Sequence, residues 1–261
     1  NQKWVFALDM PVSKPTELNW GVGRTFRSTS GLRQRHQFSI KSASSYIYTD
    51  ETEDVLAKNL DISSLRGQRL TGLAERLYQQ SANDKDYINS VRAYFRNKEF
   101  IYTLQPPLLG QNPVEDFMLN TRKGYCEHYA SAFTMMMRLS GIPARVVIGY
   151  QGGEWNEQED YLIIRQSDAH AWSEVWLDNT GWVRVDPTSA VAPERIEYGL
   201  SAIRQLMEEG QELGRLTDAN IQKVLKSSLL TQTLKNMTMF WDGVNTRWYK
   251  WVIGFDKKNQ T

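Results

Sequence analysis

The only cysteine of the 261-residue sequence is Cys126, and a histidine and an aspartate follow it in an order that a cysteine-nucleophile site can use. His170 lies in the segment DAHAW, and Asp186 lies in the segment DPT. A thiolate nucleophile needs a base to form it and a third group that holds this base in the right tautomer. A lone cysteine is often only a small buried apolar residue, but the spacing and context favour Cys126 as nucleophile, His170 as base and Asp186 as orienting acid.

The segment around Cys126 has the periodicity of a helix, because apolar residues share one face with the cysteine, namely Ala130, Phe133 and Met137. Gly124 permits a close-packed entry into this helix. In the first turn, unpaired N–H groups and the helix dipole favour a thiolate, so we expect an accessible thiol with a lowered pKa. His128 is expected to be structural, since it points roughly 160° away from Cys126 on the same helix.

The segments after this helix predict an antiparallel sheet. Residues 144–150 are rich in β-forming side chains, 151–160 have loop composition, and 161–165 and 168–177 are expected to be strands. The sequence DNTG at 178–181 indicates a turn, after which 182–186 return as a strand. Along 168–177 one face is small or apolar, and the other carries His170 with large polar and aromatic groups.

The register of this hairpin is a difficulty for the proposed triad. If Leu177 pairs with Trp182, Asp186 lies opposite Ser173, on the face away from His170. The triad therefore requires a bulge, a different pairing or a bend. Without one of these, another acid would hold the base, and the candidates are Asp168 and Glu174.

The remaining sequence predicts a β segment followed by helices. Residues 1–60 are read as β, with alternation at 4–8 and 36–40 and a loop at 25–31. Helices are predicted near 67–81 and 84–97, an extended stretch at 100–104, a loop at 105–113 and a short helix through 119. The resulting domains are a β segment at 1–62, a catalytic core at 63–192 and a helical extension at 193–261.

Composition excludes several classes of function. The net charge is +1, and no basic block with interleaved aromatics suggests binding of nucleic acid. A single cysteine excludes an internal disulfide framework and a site with several cysteine ligands. No metal-ligand spacing is visible, so we predict no metal and no cofactor. The acidic loop at 154–160 is expected to be solvated and not to bind calcium.

The C-terminal residues combine aromatic and basic side chains. Residues 235–261 contain five Lys or Arg and two Asp, and therefore carry a net charge of +3. Trp241, Trp248 and Trp251 lie among these charges, as in a membrane-interface belt. We expect residues 240–258 to lie next to a bilayer, the alternative being an amphipathic helix packed on its own domain. No stretch approaches the ~18 apolar residues of a membrane span, and the chain resembles a segment of a longer protein.

Three separate motifs carry a resemblance to a known family. The segment from Gly124 through Tyr150, the segment DAHAW around His170 and the pair GW with DPT at Asp186 resemble the transglutaminase-like superfamily. The match is strongest over residues 85–190. The flanking β segment and the Trp-rich end are more specifically similar to the periplasmic domain of bacterial TgpA-type membrane transglutaminases.

This resemblance implies an α+β fold with a papain-like transglutaminase core, in which the cysteine helix packs on an antiparallel sheet. It implies an enzyme that transfers the acyl group of a protein glutamine through a Cys126 thioester to a primary amine. It also implies a periplasmic domain tethered to the inner membrane. The Cys126 N–H is one expected oxyanion donor, and Tyr102 or a tryptophan is the other. The expected groove walls are aromatic, namely Trp172, Trp176, Trp182 and Tyr102.

Two alternatives remain open at this stage. A cysteine hydrolase, either a protease or a deamidase, would use the same three residues, because nothing in them decides the acceptor. A binding module for peptide or cell-wall material would use the same fold without turnover. An intact Cys-His-Asp set argues against the silent module, since binding alone does not require all three groups.

Overall fold

The structure is a computed structural model that describes residues 2–33, 36–65, 68–157 and 159–194. The chain divides into two compact units. One contains Asn1–Leu56 and Trp176–Val183, and the other contains Ala57–Val175 with the residues from Arg184 onward. The predicted helical extension and its aromatic, basic end lie outside the described residues beyond Glu194. No helix of the described part is both long and apolar enough to cross a bilayer.

The first unit is built mainly from short strands. Strands β1 (Gln2–Val5), β4 (Phe26–Leu32) and β3 (Leu18–Trp20) form an antiparallel sheet in that spatial order, and β2 (Met10–Pro11) pairs with β5 (Ser42–Ala43). Its core contains the fully buried side chains of Leu18 and Phe26. The predicted β character of this segment is therefore confirmed.

Three details of the N-terminal prediction were wrong. Residues 26–32 form strand β4 although they were expected to be a loop, because pairing on both sides overrides their Ser, Thr and Gly content. Residues 36–40 are not in a strand, and their alternation instead accompanies a local stack of His36 on Phe38 with ring centroids 6.0 Å apart. Near the end of the segment that was predicted to be β, residues Glu53–Lys58 instead form helix α1.

The second unit contains the predicted helices. They are α2 (Arg69–Gln79), α3 (Asp84–Asn97), α4 (Pro113–Asp116), which continues into a π-helical turn at Phe117–Thr121, and α5 (Cys126–Leu139). Helix α3 begins where the Asn83 side chain accepts the N–H of Asp86 at 3.0 Å, a standard N-cap. Buried aromatic rings fill the space around α5, namely Phe95, Phe100, Phe117 and Tyr129.

A three-stranded sheet, most of whose residues lie in the second unit, carries α5 on one face. Strands β8 (Ala144–Tyr150), β11 (Ala169–Leu177) and β12 (Gly181–Val185) have the order β12-β11-β8, and β11 pairs antiparallel with β8. The Ser173 hydroxyl donates to the Ala130 carbonyl of α5 at 3.0 Å and receives the Thr134 hydroxyl at 3.1 Å. These bonds confirm the predicted packing of the cysteine helix on an antiparallel sheet, and with it the α+β fold.

Two further strand pairs border the sheet and the helix. Strand β6 (Ile101–Tyr102) runs parallel to β7 (Lys123–Gly124), immediately ahead of α5. Strands β9 (Glu154–Asn156) and β10 (Tyr161–Ile163) form an antiparallel hairpin between β8 and β11. The loop predicted at 151–160 therefore contains a strand, which its Gly- and acid-rich composition concealed.

Candidate active site

Cys126 is the first residue of α5, and its side chain is half-buried. The chain reaches this position through β7, whose pairing with β6 places Tyr102 beside Gly124. Gly124 is required sterically, because a Cβ there would lie 2.7 Å from the His128 Cβ and 2.9 Å from a ring carbon of Phe117. The predicted position of Cys126 at the start of a helix, with a close-packed glycine entry, is confirmed.

His128 has the structural role that its helical position predicted. Its Nδ1 accepts the backbone N–H of Tyr125 at 3.4 Å, which caps the start of α5. The imidazole also packs edge-on against the Tyr125 ring at 4.5 Å between centroids and against Phe117 at 5.5 Å. Burial lowers the pKa of His128, so the neutral ring is favoured in the folded protein.

His170 and Asp186 form a direct side-chain pair. The His170 Nε2 atom lies 2.6 Å from the Asp186 Oδ2 atom, and the imidazole has no exposed surface. Asp186 is the first residue after β12 and caps the short 3-10 helix at Pro187–Ala190, where its Oδ1 accepts the Thr188 N–H at 3.1 Å. One carboxylate oxygen is therefore fixed by the backbone while the other holds the ring.

The hairpin register allows this pair because it differs from the simplest prediction. The Leu177 carbonyl accepts the Thr180 N–H at 3.0 Å, and Gly181 opens β12 with φ of +80°. Side-chain contacts across the hairpin then join even-numbered residues to even-numbered residues: Trp176 with Trp182, Trp172 with Arg184, and His170 with Asp186. The contacts of Trp172 with Arg184 and of His170 with Asp186 do not fit a pairing of Leu177 with Trp182, so a different pairing removes the difficulty.

The surroundings of His170 favour the protonated ring. Burial lowers the pKa of His170, but hydrogen bonds and charge interactions with Asp186 and Cys126 outweigh it, and the pKa lies above its ordinary value of 6.5. With Nε2 directed at Asp186, the remaining ring nitrogen, Nδ1, is left for the thiol. Nδ1 is buried and meets no atom of the described residues in full hydrogen-bond geometry. The arrangement is suited to exchange of one proton between sulfur and imidazole.

The two alternative acids are engaged elsewhere. Asp168 is buried, and its Oδ2 accepts the backbone N–H of Arg165 at 2.8 Å in the turn ahead of β11. Glu174 forms an ion pair with Arg145 across β8 and β11, with an oxygen-to-nitrogen distance of 2.7 Å. Asp186 is therefore the acid that the fold brings to His170. No group of three or more His, Cys, Asp or Glu side chains suited to a metal ion occurs in the described part of the chain.

The predicted groove residues are distributed over different parts of the fold. Trp172 lies next to the pair, with its ring 6.3 Å from the His170 ring at an interplanar angle of 22°. Tyr102 is buried beneath the entry to α5, with its ring stacked 6.3 Å from that of Tyr129. Trp176 and Trp182 belong to the first unit and pack on each other with centroids 5.6 Å apart.

Two residues near the pair were not found from the sequence. The Arg184 guanidinium lies over the Trp172 ring, 4.1 Å from its centroid, and donates to the Gln151 side chain. Gly149 lies below the same ring, where a Cβ would come within 2.6 Å of it. The Trp172 ring therefore packs against both the Arg184 guanidinium and the backbone of Gly149. The only sequence signal was a glycine within a β-rich run.

Comparison of the sequence with known proteins places these residues inside a recognised domain. The family described as the transglutaminase-like superfamily matches residues 71–187. The chain is 35% identical over its whole length to the protein-glutamine gamma-glutamyltransferase of Pseudomonas aeruginosa PAO1, and it spans 38% of that protein. It is also 33% identical over 128 residues to the uncharacterised protein YebA of Bacillus subtilis 168, covering 46% of this chain and 17% of YebA.

The fold matches solved structures of the same kind. The periplasmic domain of TgpA from Pseudomonas aeruginosa superposes with a TM-score of 0.73 at 38% identity, covering 77% of this chain and 70% of that one. The same domain bound to ethylmercury gives a TM-score of 0.72, with 75% and 71% covered. The α+β architecture described above is therefore that of the TgpA periplasmic domain.

Proposed function

The chain belongs to the transglutaminase-like superfamily, and from that membership we propose that it is a cysteine acyltransferase of the protein-glutamine gamma-glutamyltransferase type. The observation that carries the proposal is the contact of His170 with Asp186 at 2.6 Å, next to the half-buried Cys126 at the start of α5. In this proposal Cys126 is the nucleophile, His170 is the base and acid, and Asp186 orients the ring.

The first half-reaction makes a thioester and releases ammonia. His170 takes the thiol proton, and the Cys126 sulfur attacks the carboxamide carbon of a glutamine side chain, forming the C–S bond. His170 then passes its proton to the departing nitrogen, and the C–N bond breaks. The raised pKa of His170 favours the imidazolium that this step consumes.

The second half-reaction resolves the thioester with a primary amine. The amine nitrogen attacks the thioester carbon, and the neutral His170 accepts its proton. The C–S bond breaks, the thiolate of Cys126 is restored, and the product is an isopeptide. Water can enter in place of the amine and gives a glutamate side chain, so exclusion of water decides the outcome.

The oxyanion that develops in the transition state must be stabilised by hydrogen-bond donors that are already in position. The backbone N–H of Cys126, at the start of α5, is the proposed first donor. Tyr102 is the proposed second donor, because β6 sets it beside Gly124, two residues ahead of the nucleophile. The indole N–H of Trp172 is a further candidate, since it is buried and unpartnered among the described residues.

A cysteine hydrolase is the alternative, and it shares the first half-reaction. A deamidase would give only the glutamate product, and a protease would cleave a main-chain amide. The proposed partners are therefore a glutamine-bearing protein or peptide as donor and a primary amine as acceptor.

The name of the Pseudomonas aeruginosa relative describes a periplasmic domain. By analogy we propose that this chain acts in the periplasm as part of an inner-membrane protein. The aromatic and basic residues 240–258 would then lie at the membrane surface.

The test is product analysis with a glutamine peptide in the presence and absence of a primary amine. If the chain is a transferase, it should release ammonia and form an amine adduct, and both should depend on Cys126. The Cys126→Ala variant is the negative control. Glutamate alone, even at a large excess of amine, would assign the protein to the deamidases. Cleavage of the peptide main chain would assign it to the proteases.

A further inference from the structure

We propose that Arg184 is a positioning residue for the active-site base: it holds the Trp172 indole against the His170 ring, and the indole fixes the plane of that ring. This inference rests on the proposed function for the role of His170 as base and acid. Arg184 acts only through Trp172 and takes no part in the transfer of protons.

Asp186 fixes one point of the His170 ring but not its plane. Its Oδ2 atom lies 2.6 Å from Nε2, and this contact is a single hydrogen bond. A ring held at one atom can still tilt about that atom, because a hydrogen bond tolerates a range of angles. The thiol proton must reach Nδ1, on the other side of the ring, so tilting about Nε2 changes the distance from Nδ1 to the Cys126 sulfur. A second contact, on the face of the ring, is therefore needed.

The Trp172 indole makes this second contact. His170 and Trp172 are two positions apart on β11, so their side chains leave the same face of the sheet. Their ring centroids are 6.3 Å apart with an interplanar angle of 22°, as in an offset aromatic stack. A nearly parallel neighbour opposes tilting of the imidazole, because tilting would drive the edge of one ring into the face of the other.

Strand β8 allows the indole to lie at the level of His170. In the antiparallel pairing Trp172 is opposite Val147, whereas Gly149 is opposite His170. A Cβ at Gly149 would lie 2.6 Å from the Trp172 Cη2 atom and 3.1 Å from its Cζ3 atom. The six-membered ring of the indole therefore lies over Gly149, and any larger residue there would force the ring to shift.

Arg184 packs on the indole and is itself held in place. Trp172 is only partly buried, and the guanidinium carbon of the exposed Arg184 lies 4.1 Å from the indole centroid, a close cation–π contact. Arg184 Nη2 also donates to the Gln151 side-chain oxygen. The Gln151 N–H in turn donates to the Asp168 carbonyl at 2.9 Å, just ahead of β11. The guanidinium is thus fixed both by the indole and by the residue that follows β8.

The two arginines on this face of the sheet have different partners. Arg145 pairs with the Glu174 carboxylate at 2.7 Å. Arg184 forms no ion pair with any residue that the structure describes. Its charge is directed at the indole beside the base, so the contact with Trp172 is the interaction that its removal would test.

The test replaces Arg184 by methionine, which keeps an apolar stem without the cation, and by lysine, which keeps a cation. Turnover of a glutamine peptide is measured with a fixed amine. In Arg184→Met we expect kcat to fall by roughly 3- to 10-fold, as the loss of one cation–π contact gives, with KM near wild type. Arg184→Lys should recover most of kcat. A rise in KM with unchanged kcat would assign Arg184 to substrate binding and overturn the proposal.

The matched control is Arg27→Met. Arg27 lies over the Trp4 ring at 5.4 Å in the first unit, so this variant removes the same kind of contact away from His170. It should keep the wild-type kcat.

A double variant tests whether Arg184 acts through the indole. Trp172→Leu should lose at least as much kcat as Arg184→Met, and combining the two changes should cost little more than Trp172→Leu alone. Multiplied losses in the double variant would mean that Arg184 acts independently of Trp172, and would overturn the proposal.

A second measurement does not depend on the transferase proposal. Iodoacetamide alkylates Cys126 by displacement of iodide, and at a fixed neutral pH the rate reports the thiolate that the imidazole supports. Labelling of Arg184→Met should be slower than that of wild type, and Arg184→Lys should restore the rate. If this order held while no glutamine peptide was turned over, the positioning role would stand although the proposed function had failed. Equal labelling rates of the three proteins, all with native circular dichroism, would overturn the positioning role.

Discussion

The His170 ring is held by Asp186 across a distance of 2.6 Å, and Asp186 is itself held by the turn that follows it. Its second oxygen accepts the Thr188 N–H, and its carbonyl accepts the Ser189 hydroxyl at 2.7 Å. The carboxylate therefore cannot rotate away without breaking the cap of the 3-10 helix. In the DPT segment Asp186 is both the acid and the cap, and Pro187 directly after it starts the 3-10 helix.

His170→Ala and Asp186→Ala should both keep the fold and lose activity, the histidine change being the more severe. His170 moves protons, an effect of about 10²–10⁴ in rate, whereas Asp186 positions and stabilises the ring. Turnover of both variants, beside circular dichroism and thermal melting, checks the order. Near-normal turnover of Asp186→Ala would mean that the observed pair is structural only.

The same pair should make stability fall as the pH rises above the unfolded pKa of His170. The pKa of His170 is above its unfolded value of 6.5, so its contribution to the free energy of unfolding is complete below that pH. The contribution is lost as the pH rises through the folded pKa. Urea unfolding at a series of pH values above about 6.5 should show the decline in wild type. Asp186→Asn, which keeps an oxygen for Thr188, should flatten it.

The contribution of His128 to the free energy of unfolding should have the opposite pH dependence. Burial holds its folded pKa below the unfolded 6.5, so its contribution is present above that value and is lost as the pH falls through the folded pKa. His128→Asn should remove part of the loss of stability that occurs as the pH falls below about 6.5. Because His128 is a cap, turnover of this variant at neutral pH should remain near wild type. A large loss of turnover with an intact fold would show that His128 takes part in the reaction.

The periodic elements of the second unit could be predicted from the sequence, but their exact junctions could not. Strand β11 buries alternate residues from Ala171 to Leu177, as a period of two predicts. Helix α5 is buried on nearly all sides from Tyr129 to Met137, in keeping with its apolar and small residues there. Gly181 opens β12 with φ of +80° and lies with its backbone against Tyr48, where a Cβ would overlap the carbonyl oxygen. A turn composition alone does not fix the pairing of the two strands, and that pairing decides which face Asp186 joins.

The candidate site was predictable where residue type carries the information. Cys126, His170 and Asp186 have chemical types that few other positions offer. The contact of Arg184 with Trp172 could not be predicted, since it depends on which strands are neighbours. Arg184 in the sequence is one of 31 basic residues, and nothing local assigns it to an indole.

Cys126 should be labelled by iodoacetamide in the native protein, and the rate should respond to His170. The side chain is half-buried, stands at a helix start and interacts with the imidazole. Labelling of His170→Ala should therefore require a higher pH than labelling of wild type. If both proteins required denaturant for labelling, Cys126 would be a structural residue and the enzyme proposal would fail.

The aromatic and basic residues 240–258 should give the chain an affinity for anionic bilayers. Tryptophan rings favour the headgroup region, and neighbouring lysines reach lipid phosphates. Flotation with vesicles containing anionic lipid should retain the wild-type chain, and charge reversal at Lys257 and Lys258 should weaken retention. Equal flotation with neutral vesicles would remove the electrostatic part of this proposal, and no flotation with either would remove it entirely.

Gly124→Ala should cost stability and activity together, because one methyl group cannot fit at the entry to α5. Its Cβ would meet His128 at 2.7 Å and Phe117 at 2.9 Å, so the cap and the first turn must shift, typically by about 1–3 kcal/mol in the free energy of unfolding. Since Cys126 stands in that turn, kcat should fall even at temperatures where the variant is folded.

Gly72→Ala in α2 is the matched control, because its Cβ would make only an ordinary 3.6 Å contact with Arg76. There the loss of backbone freedom in the unfolded chain should stabilise by up to about 1 kcal/mol and leave kcat unchanged. Equal stability of the two variants would show that the entry to α5 is not as tightly packed as described.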